Sequence, residues 1–179
     1  MLSRPQSNEY PEYYKNYILL VPEGPILAFL SRQIDDYRQL LAGVPDEVAS
    51  ASPETGKWSL KQVLGHLCDT ERVHAYRALR FARGDSQELR GFEQDDYVRE
   101  ANSNVRTLDD LLGEFESIRK ASIAFFGSLA PDTEHRSGVA NKARVTVRAL
   151  AYVVGGHAQH HYELLKARFS APSTSGANN

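Results

Sequence analysis

The chain has 179 residues, the size of one domain and enough for four helices of roughly five to six turns around a shared core. Hydrophobic residues at 41% and charged residues at 25% exclude a disordered or fibrous chain. With 21 Lys plus Arg against 23 Asp plus Glu, a formal charge of -2, there is no basic excess to neutralise phosphates, which argues against a nucleic-acid partner.

Met1-Leu2-Ser3-Arg4-Pro5 is not followed by an apolar signal core, and the longest aliphatic run is Ile18-Leu19-Leu20-Val21. A cytoplasmic protein without membrane association is therefore expected. Lone Cys68 has no partner for an internal disulfide and reads as a small buried apolar side chain.

Residues 1–22 carry Tyr10, Tyr13, Tyr14 and Tyr17 among prolines and charges, without a sustained helical period, and are expected to form a leader packed across the bundle. Gly24-Pro25 opens a first helix, because a proline at the first helical position loses no hydrogen bond. Its stripe of Ile26, Phe29, Leu30, Ile34, Tyr37, Leu40 and Leu41 runs to about Gly43. Ser59-Leu60-Lys61-Gln62 is a capping box, with Trp58 placed for a hydrophobic staple. The second helix it starts runs to about Arg83, burying Leu60, Val63, Leu64, Leu67, Ala75 and Ala78. Residues 86–106 are polar and without clear period; so long a connection is expected to cross the bundle or line a site. Thr107 caps a third helix with the stripe Leu108, Leu111, Leu112, Phe115, Ile118, Phe125 and Leu129, closed by Pro131. A polar loop from Asp132 to Arg144 follows, and Thr146 caps a fourth helix that reaches about Phe169. The expected fold is an all-α four-helix bundle filling one domain over 1–170, with a disordered tail at 171–179.

The fourth helix holds Gly155-Gly156-His157-Ala158-Gln159-His160-His161. His157 and His161, four apart, share a helix face about one turn from each other, a spacing that can chelate a metal. They fall in the stripe of Leu150, Val153, Val154, Leu164 and Arg168, so both rings should point inward, with His160 toward the edge. Two core histidines satisfied by hydrogen bonds would show the same pattern. His66, at the margin of the second helix's stripe, could reach the same interior. Three neutral imidazoles with open remaining positions describe a site that binds water or substrate, at metal–nitrogen distances of about 2.0 to 2.1 Å for zinc. The paired glycines cost about 1 kcal/mol each against alanine in a helix, which close approach of a neighbouring backbone would offset.

Glu71 and His74 form a Glu-x-x-His spacing, but no second copy exists for a dinuclear carboxylate site. Glu71 reads either as an acceptor for the free nitrogen of a ligand imidazole or as a salt-bridge partner of an arginine. Arg77, one helical row below His66, could hold an anionic substrate group or sit in a surface salt bridge. Asp96 and Tyr97 of the long connection, with His160, are candidates for the substrate pocket.

The block Gly56-Lys57-Trp58-Ser59-Leu60-Lys61-Gln62-Val63-Leu64-Gly65-His66-Leu67-Cys68-Asp69-Thr70-Glu71-Arg72, then Tyr76-Arg77-Ala78-Leu79-Arg80, and later the Gly155–His161 segment resemble the DinB-like superfamily of bacterial metalloproteins. The resemblance spans nearly the whole chain. It implies a bundle in up-down-down-up order, a homodimer, and a metal triad of one His early in helix two with a His-x-x-x-His in helix four. Those positions fall on His66, His157 and His161, with Zn²⁺ or Ni²⁺ as the expected ion. Relatives of known chemistry include thiol-dependent isomerases and S-transferases. A metal-dependent enzyme activating a small-molecule thiol for attack on an electrophile is thus the leading expectation. A metal-dependent hydrolase with Glu71 as first candidate base, or a non-catalytic metal-stabilised dimer or stress-related binding protein, are the alternatives.

Overall fold

A computed structural model describes residues 2–170; the expected tail at 171–179 lies outside them. Seven helices are present among these residues: α1 (Lys15–Leu20), α2 (Ile26–Leu41), α3 (Asp46–Ser50), α4 (Leu60–Ala82), α5 (Gln94–Ala101), α6 (Leu108–Gly127) and α7 (Val147–Ser170). The long ones, α2, α4, α6 and α7, form the bundle: α4 packs on α6 and α7, and α2 packs on the same two.

Local chemistry sets the starts of these helices. Ser59 accepts from the Gln62 amide at 3.1 Å while Gln62 accepts from the Ser59 amide at 2.9 Å, completing the capping box of α4. Thr107 accepts from the Asp110 amide at 3.2 Å, and Thr146 from the Ala149 amide at 3.2 Å. Each such cap contributes about 1 kcal/mol by satisfying an amide the helix leaves orphaned. Pro25 occupies the cap of α2 rather than its first turn.

The bundle is not purely helical. The segment expected as a polar loop from Asp132 to Arg144 instead carries an antiparallel hairpin that runs two residues beyond it, β1 (Ser137–Ala140) with β2 (Ala143–Thr146), pairing Ala140 with Ala143. Its two-residue turn places Asn141 at φ 50° and Lys142 at φ 63°, the left-handed pair whose twist matches that of the flanking strands. Leu89 extends the hairpin, donating to the Val139 carbonyl and accepting from the Asn141 amide. The long connection therefore carries α5 and an anchored loop, and the leader carries α1, which crosses α7.

Two apolar clusters fill the interior. One gathers Ile18, Ile26, Leu30, Phe81, Phe126, Leu150 and Val153; the other gathers Tyr37, Leu60, Leu64, Leu67, Leu111, Phe115 and Leu165. Between them each long helix contributes polar residues: Gln33 from α2, Glu71 and His74 from α4, Arg119 from α6 and His157 from α7, all buried. This belt explains the first of two departures from the expected stripes. The buried row of α6 runs Phe115, Arg119, Ser122, Phe126, leaving Ile118, Phe125 and Leu129 half-buried. On α7 it is Leu165 that packs inward while Leu164 is 56% exposed.

Candidate metal centre

α7 can approach the leader closely because of Gly156. A Cβ there would stand 1.9 Å from the Tyr17 carbonyl oxygen of α1, so only glycine admits this crossing. The crossing sets the Tyr17 ring edge-on to His157, with centroids 5.3 Å apart, and to His160 at 5.6 Å. On the other side α4 brings His66 against α7. His66 Nε2 and His157 Nε2 lie 3.0 Å apart, and one nitrogen from each of His66, His157 and His161 lies within 4.8 Å of the other two. Nitrogens that share one zinc at about 2.0 to 2.1 Å sit roughly 3 to 3.5 Å from each other, so the His66–His157 pair already has the spacing of a shared ion and His161 stands within reach of it.

The imidazoles are in the protonation state a metal needs. Burial pushes His66 down to about 4, His161 down to about 3, and His157 well below its ordinary value. At neutral pH all three rings therefore keep a free lone pair. The Thr70 hydroxyl lies 3.4 Å from His66 Nδ1, so that nitrogen can carry the proton and leave Nε2 for an ion. Trp58 covers the other face of His66, with centroids 4.7 Å apart.

Two cavities meet the cluster from different sides. One, of about 530 Å³, is lined by Trp58, Val63, Asp95, His161, Leu164 and Arg168. The second, of about 340 Å³, is lined by Tyr14, Tyr17, His66, His74, Arg77 and His157. Both fall in the size range of small-molecule sites.

Beneath the histidines the polar belt is tied together. Arg119, fully buried, donates from Nε to Glu71 Oε2 at 3.0 Å and from a terminal nitrogen to Gln33 at 2.6 Å. Gln33 in turn donates to the Gly155 carbonyl at 2.9 Å, one residue before the glycine of the α1 crossing. Glu71 is thus held by an arginine, the second of its two sequence readings, and its Oε1 has no hydrogen-bond partner.

The remaining candidates are placed as follows. Arg77 is buried and lines the smaller cavity. Asp96 is exposed and pairs with Arg99 at 2.9 Å, and Tyr97 is exposed against Phe92. Neither lines a cavity beside the histidines; from the same helix Asp95 does, and its charge acts on His66. His160 is half-buried, its ring 5.2 Å from that of His161. Sequence reasoning missed Asp95 and Arg119 and assigned Tyr14 and Tyr17 no place at the site. The tyrosine-rich leader was a signal for the last two, since leader aromatics crossing a bundle need something to cover. Among the described residues no other group of His, Cys, Asp and Glu side chains converges as a metal site would require. No helix among them is long and apolar enough to cross a membrane.

Comparison with known proteins agrees with this architecture. No curated protein matches the sequence. Among solved structures, YfiT from Bacillus subtilis superposes with a TM-score of 0.71 at 16% identity over 94% of each chain. It is described as a probable metal-dependent hydrolase with an unusual four-helix bundle topology. A mycothiol-dependent maleylpyruvate isomerase superposes with a TM-score of 0.66 at 12% identity, over 88% of this chain and 64% of that one. At these identities the likeness establishes the fold. The sequence model of the DinB superfamily matches residues 30–165, so that His66, His157, His161 and all four bundle helices except the ends of α2 and α7 fall within it, and the chain belongs to the DinB superfamily.

Proposed function

We propose that this protein is a divalent-metal-dependent enzyme acting on small molecules, with zinc or nickel held by His66, His157 and His161. The observation that carries the reading is the convergence of three neutral imidazoles at the junction of two cavities. Three imidazoles leave positions open on an ion of this kind, as catalytic sites require and closed structural sites do not. A bound ion would lower the pKa of a thiol or water and offer it as a nucleophile at neutral pH.

The chain's own residues prepare that chemistry. Thr70 stands beside Nδ1 of His66, where its hydroxyl can accept that proton, while the Trp58 and Tyr17 rings pack against His66 and His157 and restrain them. Two cavities on different sides of the histidines favour a reaction of two partners, a small thiol and an electrophile, over a reaction of one. The up-down-down-up order is part of this reading and has support from three of the four helices: Gln33 with Gly155 and Tyr37 with Ala158 run α2 parallel to α7, while Gln33 with Arg119 and Arg38 with Glu116 run α2 antiparallel to α6.

Hydrolysis is the second reading, favoured by the Asp95 and Glu93 carboxylates at the cavity walls, either of which could take a proton from water. Glu71 does not serve there, being 3% exposed and paired with Arg119.

Zinc- and nickel-loaded protein, assayed with a panel of low-molecular-weight thiols against an aromatic halide, and separately with ester, amide and phosphate substrates, distinguishes the two. Thiol conjugation that disappears in His161→Ala supports transfer. Turnover of the second panel alone supports hydrolysis. Metal binding without turnover of either panel sinks the enzymatic reading.

A further inference from the structure

The described residues include four cations whose side chains are deeply buried, and three have a carboxylate partner. Lys61 pairs with Asp46 at 2.5 Å, Arg119 with Glu71 at 2.9 Å, and Arg148 with Glu9. The fourth, Arg77, is 4% exposed and has none. It donates to the Arg90 carbonyl at 3.0 Å and lies against the Tyr14 hydroxyl, both neutral groups, and no carboxylate among the described residues comes within ion-pairing distance of it. Burying a guanidinium without a counter-charge is costly, and the neutral groups around Arg77 supply hydrogen bonds but no charge.

The position of Arg77 says what would. It lines the cavity of about 340 Å³ whose walls also carry His66 and His157, beside the Tyr14 and Tyr17 side chains and Asn141. The Arg90 carbonyl that orients the guanidinium is fixed by the loop at Leu89, which is bonded to the hairpin through Val139 and Asn141. Gly91 packs against the hairpin turn, where a Cβ would stand 2.6 Å from the Asn141 side-chain oxygen and push that amide aside. The cation is thus preset, with donors to spare, in a space that opens onto the candidate metal ligands.

We propose that this cavity takes a small molecule bearing a carboxylate, which Arg77 binds while the rest of the molecule extends toward His66 and His157. The orientation toward the histidines rests on the metal-enzyme reading above; the binding of the carboxylate does not. A carboxylate fits better than a phosphate. A guanidinium offers paired N–H donors that match the two oxygens of a monoanion. Among the described residues Arg77 is the only Lys or Arg lining the cavity, and Glu93 stands on its wall to repel a dianion.

The test is titration of acetate, propionate and benzoate, each against its neutral amide, into the full chain in metal-free and zinc-loaded form, followed by calorimetry. At least one carboxylate is expected to bind the metal-free protein about ten-fold or more tightly than its amide, the scale of one charge-assisted pair. Arg77→Gln should erase that preference and Arg77→Lys should keep part of it. Glu93→Gln, an exposed change that leaves the fold intact, should tighten carboxylate binding. Equal affinity for acids and amides in the metal-free protein overturns the proposal. So does a preference that survives Arg77→Gln, an unchanged affinity in Glu93→Gln, or inorganic phosphate binding more tightly than every carboxylate. Failure of the metal reading would appear instead as absent zinc binding, with the metal-free carboxylate titration unaffected.

Discussion

Replacing Gly156 with alanine should destabilise the protein although alanine is the better helix former. In an unconstrained helix interior the change gains about 1 kcal/mol. At Gly156 the added methyl would lie 1.9 Å from the Tyr17 carbonyl oxygen and 2.4 Å from its carbon, both backbone atoms that no rotamer change can move aside. Either α1 or α7 must shift by roughly 1.5 Å to restore van der Waals contact. Overpacking of this kind costs about 1 to 3 kcal/mol, and a clash with backbone belongs at or above the upper end. The net loss should be about 2 kcal/mol, a fall in Tm of roughly 4 to 8 °C for a domain of this length. Gly113→Ala is the internal control, because that glycine lies within α6 with nothing within 4 Å of the added Cβ. It should gain up to about 1 kcal/mol. Urea unfolding of the two metal-free variants measures both, free of any change in metal affinity. A Gly156→Ala midpoint that rises in step with Gly113→Ala would refute the close crossing of α1 and α7.

The polar belt and the buried histidines make further predictions. Glu71→Gln leaves Arg119 buried against a neutral amide and should cost about 3 to 5 kcal/mol in urea unfolding; Glu71→Leu combined with Arg119→Met should cost clearly less than the two single changes together. The metal-free protein should lose stability in acid. Burial lowers His66 to about 4 and His74 and His161 to about 3, while the unfolded chain takes up protons near the ordinary value of 6.5. Stability is therefore full above about pH 6.5 and falls as pH drops toward 4, by up to about 1.4 kcal/mol per pH unit for each such histidine. A urea midpoint unchanged between pH 7 and pH 5 would contradict the burial of these rings. His160→Ala should leave metal affinity within a few-fold of the parent protein, since that ring packs against Tyr17 and His161 from outside the cluster.

The parts of this architecture that depend on short-range chemistry were legible in the sequence. The capping box at Ser59, the caps at Thr107 and Thr146 and the four-residue spacing of His157 and His161 each need only a few neighbouring residues to be recognised. His66 was brought to the same point by family resemblance, because no local pattern says which helix faces which. The hairpin escaped notice because its turn is Asn141-Lys142 rather than Asn-Gly, and lysine rarely signals a left-handed position. Arg119 was passed over for its charge. It lies in the buried row of α6 because Glu71 and Gln33 wait for it on α4 and α2, a pairing that only the assembled bundle creates. Asp95 and Asp96 are equivalent by composition, and the docking of α5 onto α4 decided between them.

The central claim is that His66, His157 and His161 hold one ion. Titration of metal-free protein with zinc and nickel, followed by element analysis and X-ray absorption at the metal edge, tests it most directly. The account predicts one ion per chain, imidazole nitrogens at about 2.0 to 2.1 Å if the ion is zinc, and affinity reduced by roughly two orders of magnitude or more in each of His66→Ala, His157→Ala and His161→Ala. An ion bound with unchanged affinity in any of the three variants, or no ion bound at all, would contradict it.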